Sequence, residues 1–300
     1  MGDLDGDKNA DFVFRRTNGD LLGFLLNGAG LKAAQAIGAI GLEWTLAGTG
    51  DFNGDGSADL LFRRGDGSLA MLLMNGFTVI GSQIIGVVGP EWSVVGVGDF
   101  NGDKRADILI RRQDGTLAVL LMNGFQLLGS QSIALVGLEW RPAGVADFNG
   151  DGTADILLRR VSDGTLAMLL MNGFQVVSAT TVGTIGLEWT FTGAVDFNTD
   201  GRADLLFRRA DGSLLMLLMN GTQLIASQVV GKVGFEWRVI GTGDIDGNGT
   251  GDIAIRRTDG VVATLLMSGF NLVSSQTIAN IGNEWDTCYG ESHSPVIGLN

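Results

Sequence analysis

Aspartate and asparagine recur at fixed positions in a nine-residue segment that appears six times in the chain. One copy, Asp51–Asp59, reads Asp-Phe-Asn-Gly-Asp-Gly-Ser-Ala-Asp, with side-chain oxygens at positions one, three, five and nine. Calcium takes about six to eight oxygen ligands, several of them from carboxylates. The two glycines allow the backbone to fold tightly around one ion, and the carbonyl of position seven adds another oxygen. The spacing therefore predicts a calcium-binding loop.

We number the copies loop 1 to loop 6 in chain order. Their predicted ligands, with position seven contributing its backbone carbonyl, are Asp3, Asp5, Asp7, Asn9 and Asp11; Asp51, Asn53, Asp55, Ser57 and Asp59; Asp99, Asn101, Asp103, Arg105 and Asp107; Asp147, Asn149, Asp151, Thr153 and Asp155; Asp196, Asn198, Asp200, Arg202 and Asp204; and Asp244, Asp246, Asn248, Thr250 and Asp252. Thr199 replaces a glycine in loop 5, and Asn248 replaces an aspartate in loop 6. We expect these two loops to bind most weakly.

The charge of the chain supports a cation-binding role. The loops hold 19 of the 33 acidic residues, four in loop 1 and three in each other loop, and the net charge is −13. Clustered carboxylates repel one another unless a cation neutralises them. Six calcium ions would bring the charge to −1, so we expect about six ions with a structural role. The acidic balance also disfavours nucleic acid and anionic membranes as partners.

The loops are spaced as one copy per structural repeat. They start at residues 3, 51, 99, 147, 196 and 244, a period of 48 residues with one of 49. In the second repeat, short apolar runs bounded by glycine or asparagine predict strands at Trp44–Gly50, Leu60–Arg64, Leu69–Met74 and Thr78–Val87. Asp66-Gly67 is a strong hairpin signal between two of them.

Four strands in about 48 residues, repeated six times, predict an all-β propeller with six four-stranded blades. A β-solenoid is the second interpretation, although its coils are usually shorter. We expect one domain over residues 1–300, with repeats at 1–50, 51–98, 99–146, 147–195, 196–243 and 244–285. The first repeat lacks its first strand, which the tail 286–300 would supply to close the ring. A seven-bladed ring with one blade removed remains an alternative.

Two further residue pairs recur in every repeat. An Arg-Arg pair closes the second strand, as at Arg63-Arg64, and a Glu-Trp pair opens the first. The tryptophans are Trp44, Trp92, Trp140, Trp189, Trp237 and Trp285. One interpretation is structural, with an arginine of each pair meeting the glutamate or stacking on the tryptophan. The other is carbohydrate binding, with sugars stacked on six equivalent tryptophans that act together through avidity.

The loop, the 48-residue period and the strand end Leu73-Met74-Asn75-Gly76 together resemble the FG-GAP/VCBS repeat family, whose blades also build the propeller head of integrin α-subunits. The resemblance covers essentially residues 1–285. It implies a β-propeller with calcium between the first two strands of each blade, held by Asp51, Asn53, Asp55, Ser57 and Asp59 and their equivalents. Members of this family serve as adhesion heads, as lectins and as modules of secreted enzymes.

The sequence predicts a chain without catalytic activity. Its one histidine is His293, and no asymmetric group of acid, base and nucleophile interrupts the repeats. Two functions remain open: a lectin-like or adhesive binding module with structural calcium, and a structural or protein-interaction propeller of a larger exported protein. The corresponding partners are glycans or cell-surface proteins.

The predicted location is extracellular or at the cell surface. Loops without a glutamate at position twelve suggest weak sites suited to millimolar calcium. No apolar run approaches the roughly 20 residues of a membrane span, so we expect no membrane insertion. Because Met1 is followed at once by the repeat motif, we expect either a fragment of a larger protein or export without a cleaved signal. Cys288 is the one cysteine, which we expect to be an inert thiol.

Overall fold

The computed structural model describes residues 1–287 as β-strands joined by turns and loops. Within that range no helix is present that could cross a membrane. In this range the strands form six four-stranded antiparallel sheets, five of them each from one continuous stretch of chain, and these sheets are the blades of a ring. The predicted six-bladed, all-β propeller is therefore confirmed.

The 24 strands fall into four groups by their place in the blade, from the ring axis outward. The inner strands are β4 (Trp44–Gly50), β8 (Trp92–Gly98), β12 (Trp140–Ala146), β16 (Trp189–Val195), β20 (Trp237–Gly243) and β24 (Trp285–Thr287). The second strands are β1 (Phe12–Arg16), β5 (Asp59–Arg64), β9 (Asp107–Arg112), β13 (Asp155–Arg160), β17 (Asp204–Arg209) and β21 (Asp252–Arg257). The third strands are β2 (Asp20–Asn27), β6 (Ser68–Asn75), β10 (Thr116–Asn123), β14 (Thr165–Asn172), β18 (Ser213–Asn220) and β22 (Val261–Ser268). The outer strands are β3 (Gly30–Ala39), β7 (Thr78–Val87), β11 (Gln126–Leu135), β15 (Gln175–Thr184), β19 (Gln223–Lys232) and β23 (Asn271–Asn280).

The hydrophobic core is divided among the six interfaces between blades. At the interface of the first two blades, Leu4 and Val13 from one blade pack with Leu60 and Phe62 from the other. A second strand is thus covered on both faces, which explains why β5 reads as a continuous apolar run and not as an alternation. The outer strands are mostly exposed, and their exposed residues include large apolar side chains such as Ile80.

Both ends of the described chain complete the inner edge of the first blade. Strand β24 pairs antiparallel with β1, placing Trp285 opposite Arg16, and Gly2 forms a bridge with Asp11 further along the same strand. The predicted closure by the tail is confirmed for residues 286 and 287, and a ring of six blades needs no seventh. The rest of that tail, with Cys288 and His293, lies outside the described residues.

An ion pair fixes the closing strand to its neighbour. Asp286 in β24 pairs with Arg238 in β20 and lies 3.8 Å from a guanidinium nitrogen of Arg256. The equivalent residue is Thr45 in β4 and Ser93 in β8, so the acidic side chain belongs to the closing strand and not to the repeat pattern.

Candidate metal centre

The six loops lie together on one face of the ring, because loops 2 to 6 each connect an inner strand to the second strand of the same blade and loop 1 leads directly into β1. Adjacent loops are joined by a backbone hydrogen bond in which the position-eight N–H donates to the position-one carbonyl of the preceding loop. These bonds measure 2.5–2.8 Å and join Ala58 to Asp3, Ala106 to Asp51, Ala154 to Asp99, Ala203 to Asp147, Gly251 to Asp196 and Ala10 to Asp244. They follow the whole ring, so the loops form a continuous belt between blades.

Close approach of the blades also explains the small residue at position eight. A Cβ on Gly50, at the end of β4, would lie 2.6 Å from the Cβ of Ala106 in the next loop. The same contact recurs between Gly98 and Ala154. The alanine therefore serves the interface with the preceding blade.

The position-one aspartate organises each loop through backbone hydrogen bonds. In loop 2, Oδ1 of Asp51 accepts from the Gly54 N–H at 2.6 Å, and Oδ2 accepts from the Gly56 N–H at 2.8 Å. Corresponding contacts recur in the other loops, for example between Asp147 and Gly150 at 2.6 Å. This carboxylate thus holds the loop in shape.

Positions four and six of every loop take a left-handed backbone conformation. In loop 2 both are glycines, with φ of 78° at Gly54 and 90° at Gly56. Three side chains are forced into the same region: Lys8 and Lys104 at position six, and Thr199 at position four. Sequence reasoning identified Thr199 but missed both lysines, whose signal was their alignment with Gly56.

The position-nine aspartate is buried and connects the loop to the blade. The Asp59 side chain accepts from the Phe52 N–H at 2.9 Å and from the Met74 N–H, at the end of β6, at 2.8 Å. The pKa of Asp59 is raised from 3.8 to about 7, chiefly by burial and to a smaller extent by the nearby carboxylates of Asp55 and Asp51. Burial likewise raises the pKa of the equivalent carboxyls, to about 7 in Asp11, Asp107 and Asp155 and to about 6 in Asp204 and Asp252.

Three carboxylates converge in loops 1 and 6, which have aspartate at position three. Oxygens of Asp3, Asp5 and Asp11 all lie within 4.8 Å of one another, and so do those of Asp244, Asp246 and Asp252. We expected loop 6 to bind calcium weakly because it has Asn248 at position five. Asp246 at position three supplies a third carboxylate instead, so loop 6 has one of these two clusters.

One side-chain oxygen in loop 1 is placed as a cation ligand would be. Oδ1 of Asp5 is buried and has no hydrogen-bond partner. A buried acceptor without a partner is unfavourable, and a hard cation prefers such an oxygen. The residues of loop 1 therefore fit a calcium ion bound at positions one, three and nine.

Positions five and seven are placed differently from the other three. In loops 2 to 5 the position-three amide donates to the position-five carboxylate, as between Asn53 and Asp55 at 2.8 Å. At position seven, the Arg105 and Arg202 side chains reach back to the position-three carbonyl of the preceding loop, at 3.4 and 3.2 Å. Ser57 and Thr153 are buried there instead.

The predicted tryptophan ligands lie at the opposite end of the inner strands from the loops. The second arginine of each pair covers a tryptophan ring in its own blade, at 4.4–5.7 Å from the guanidinium carbon to the ring centre. In the five blades whose hairpin has an aspartate, this arginine also pairs with it, as Arg64 does with Asp66 at 2.5 Å. Trp44 is 9% exposed, and the other five tryptophans are half-buried.

The first arginine of each pair joins neighbouring blades. Nη2 of Arg63 donates to the Trp92 carbonyl at 2.6 Å, and Arg208 does the same to Trp237 at 2.6 Å. These contacts agree with the structural interpretation of the Arg-Arg and Glu-Trp pairs. Glycan binding at the tryptophans stays a prediction. One face of each tryptophan ring is already covered by a guanidinium.

The strained threonine generates a test of the loop geometry. A side chain with a left-handed backbone costs about 1–2 kcal/mol, of which glycine avoids most, while glycine loses more entropy on folding. We therefore expect Thr199→Gly to raise the free energy of unfolding by up to about 1 kcal/mol in urea titrations with EDTA. The matched control is Gly102→Thr, at the same position in loop 3, which should destabilise by a similar amount. A Thr199→Gly protein no more stable than the parent would contradict the assignment of strain.

Comparison with known proteins supports the fold and identifies the repeats. Comparison with curated proteins found no match. Two solved structures share the fold at low identity. One is a chain of the Photorhabdus luminescens Tc holotoxin pore carrying the mutation TccC3-D651A, with a TM-score of 0.54, 13% identity, and coverage of 88% of this chain but only 14% of that one. The other is BBS1N in complex with ARL6DN, with a TM-score of 0.50, 14% identity, and coverage of 95% and 86%.

The FG-GAP-like repeat model matches the chain five times, at residues 3–62, 51–110, 99–158, 147–207 and 196–255. Each match begins at the first aspartate of a loop and ends in the second strand of the next blade, just after that blade's loop, so it covers two consecutive loops and the strands between them. The matches together span most of the chain, from the first loop to the last. This chain belongs to the FG-GAP-like repeat family.

Proposed function

We propose that the chain is a non-catalytic, calcium-stabilised interaction scaffold that works outside the cell or at the cell surface. The observation that carries the calcium part is the cluster of Asp3, Asp5 and Asp11, with its buried, unpartnered Asp5 oxygen. The carboxylates of this cluster offer the oxygen ligands that calcium prefers. About six ions, one in each loop, would bring the net charge of the chain from −13 to −1.

The proposed role of the ion is structural because the loops connect the blades. Asp51 holds its own loop through Gly54 and Gly56, and its carbonyl accepts the hydrogen bond from Ala106 in the next loop. A cation that fixes the side chain of Asp51 therefore also orders the contact with the neighbouring blade. Its removal would leave like charges close together on the same belt.

The partner that we propose is a protein and not a glycan. Sugars bind aromatic side chains through the ring face, and a guanidinium covers one face of each tryptophan here, as Arg160 covers Trp140 at 5.4 Å. BBS1N, which shares the fold, is described in complex with ARL6DN, a precedent for a propeller that binds another protein. The extracellular location follows from the proposed weak sites, which need calcium near the millimolar range.

The first prediction concerns calcium and thermal stability. Millimolar calcium should raise the melting temperature of EDTA-treated protein, because binding to the folded state stabilises it by about 2.7 kcal/mol per site at 100 times Kd. Magnesium at the same concentration is the control and should act less, since it demands a smaller, octahedral site. If the protein melted at the same temperature in excess EDTA as in millimolar calcium, the calcium proposal would be wrong.

The second prediction concerns pH in the absence of calcium. The position-nine carboxyls have a pKa of about 6–7 when folded, against an ordinary value of 3.8. The folded state therefore holds these protons more tightly than the unfolded state does, so stability in EDTA should fall as the pH rises from about 4 to about 7 and level off above. The gain from calcium should grow over the same interval, because binding needs the carboxylates deprotonated.

Melting curves at pH 5 and pH 8, with EDTA and with calcium, measure both trends of the second prediction. The EDTA samples should melt higher at pH 5. The calcium-induced increase should be larger at pH 8, and an increase that is the same at both pH values would contradict the prediction.

The third prediction separates protein from glycan partners. A broad glycan array should show no binding above background in millimolar calcium, since a guanidinium covers one face of each tryptophan. The matched control is Trp140→Ala, in which any signal unrelated to the tryptophan would persist. Array binding that this substitution abolishes would establish the lectin function and overturn the protein-partner proposal.

A further inference from the structure

One lysine outside the loops contacts loop 1 directly. Nζ of Lys32, in the outer strand β3, lies 2.7 Å from Oδ2 of Asp5 and 2.6 Å from Oδ2 of Asp7. The two carboxylates raise the pKa of Lys32 above its ordinary value, so the side chain stays positively charged. An ammonium therefore bridges positions three and five of this loop.

The bridge leaves the inner side of the cluster open. Lys32 contacts the Oδ2 atom of Asp5, while Oδ1 of the same carboxylate is the buried oxygen without a partner. Oxygens of Asp5, Asp3 and Asp11 lie within 4.8 Å of one another. The lysine thus sits beside the cation position and adds positive charge there without filling it.

Lys32 is specific to the first repeat. It is the third residue of its outer strand, where the other repeats have Ile80, Leu128, Val177, Ile225 and Val273. Loop 6 makes the useful comparison, because it also has aspartate at position three and a three-carboxylate cluster. Its equivalent outer-strand residue is the uncharged Val273.

We infer that Lys32 is a built-in counter-ion that stabilises loop 1 without calcium and lowers its affinity for divalent cations relative to loop 6. Two effects of the ammonium both favour the ion-free loop over the calcium-bound loop. The ammonium relieves repulsion between carboxylates in the ion-free loop, and it repels an incoming cation in the bound one. The inference rests on the proposed calcium function and adds that the six sites are not equivalent.

Two reciprocal substitutions in the full chain test the inference. Lys32→Val gives loop 1 the residue of loop 6, and Val273→Lys gives loop 6 the residue of loop 1. Hydrogen–deuterium exchange followed through a calcium titration yields one midpoint for residues 3–11 and another for residues 244–252. The melting temperature in EDTA gives a second readout.

The wild-type midpoint should lie at lower calcium for loop 6 than for loop 1. Lys32→Val should lower the midpoint of loop 1 about fivefold, the scale of an exposed ion pair, and leave that of loop 6 unchanged. It should also lower the melting temperature in EDTA more than in calcium. Val273→Lys should raise the midpoint of loop 6 by a similar factor.

The outcomes distinguish this inference from the function on which it rests. If no wild-type loop responds to calcium, the proposed function fails. If the wild-type loops respond but neither substitution shifts its own loop as stated, the counter-ion role alone is wrong. If Lys32→Val does not fold, the midpoint of loop 6 in Val273→Lys still tests the inference.

Discussion

The shape of every loop, and its attachment to the blade, depends on one buried carboxylate at the end of the loop. Asp59 and its five equivalents are each fixed by two backbone N–H groups, one from the loop and one from the third strand. Those hydrogen bonds favour the charged form, while burial opposes it, and burial prevails. The loop is thus built around a group that is well placed but unfavourable to ionise alone. Converging carboxylates make ionisation still less favourable, and the proposed cation would offset their charge.

The same loops connect the blades, so local charge and global shape are coupled. The position-one aspartate accepts the blade-to-blade hydrogen bond at its backbone carbonyl and orders its own loop with its side chain. On the opposite face, the arginine pairs perform a comparable task, since Arg64 covers Trp44 within a blade and Arg63 reaches Trp92 in the next. Between the two faces lie the apolar interfaces, such as that of Leu60 and Phe62 with the first blade. Each blade is therefore joined to its neighbours at three levels.

Much of this was readable from the sequence because the repeat supplies six versions of each signal. The strands predicted for the second repeat end within one residue of those observed, since glycine and asparagine mark the turns. What the sequence could not reveal are contacts that the repeat does not share. Lys32 lies about 25 residues from the carboxylates that it bridges, and Gly2 completes a strand whose other part comes from Trp285. The lysine contact depends on how the first blade folds against loop 1, and the contacts of Gly2 and Trp285 depend on the closed ring; no local pattern encodes either.

Completion of the first blade by both ends of the described chain has a consequence for the order of folding. Strands β2 and β3 follow β1 closely, but the pairing of Arg16 with Trp285 joins residues far apart in sequence. Pairings of such long range are entropically the most demanding and slow to form. The other five sheets each lie within a single continuous stretch of chain. The blades should accordingly assemble first as an open arc, with the pairing of β24 to β1 closing the ring as the last step.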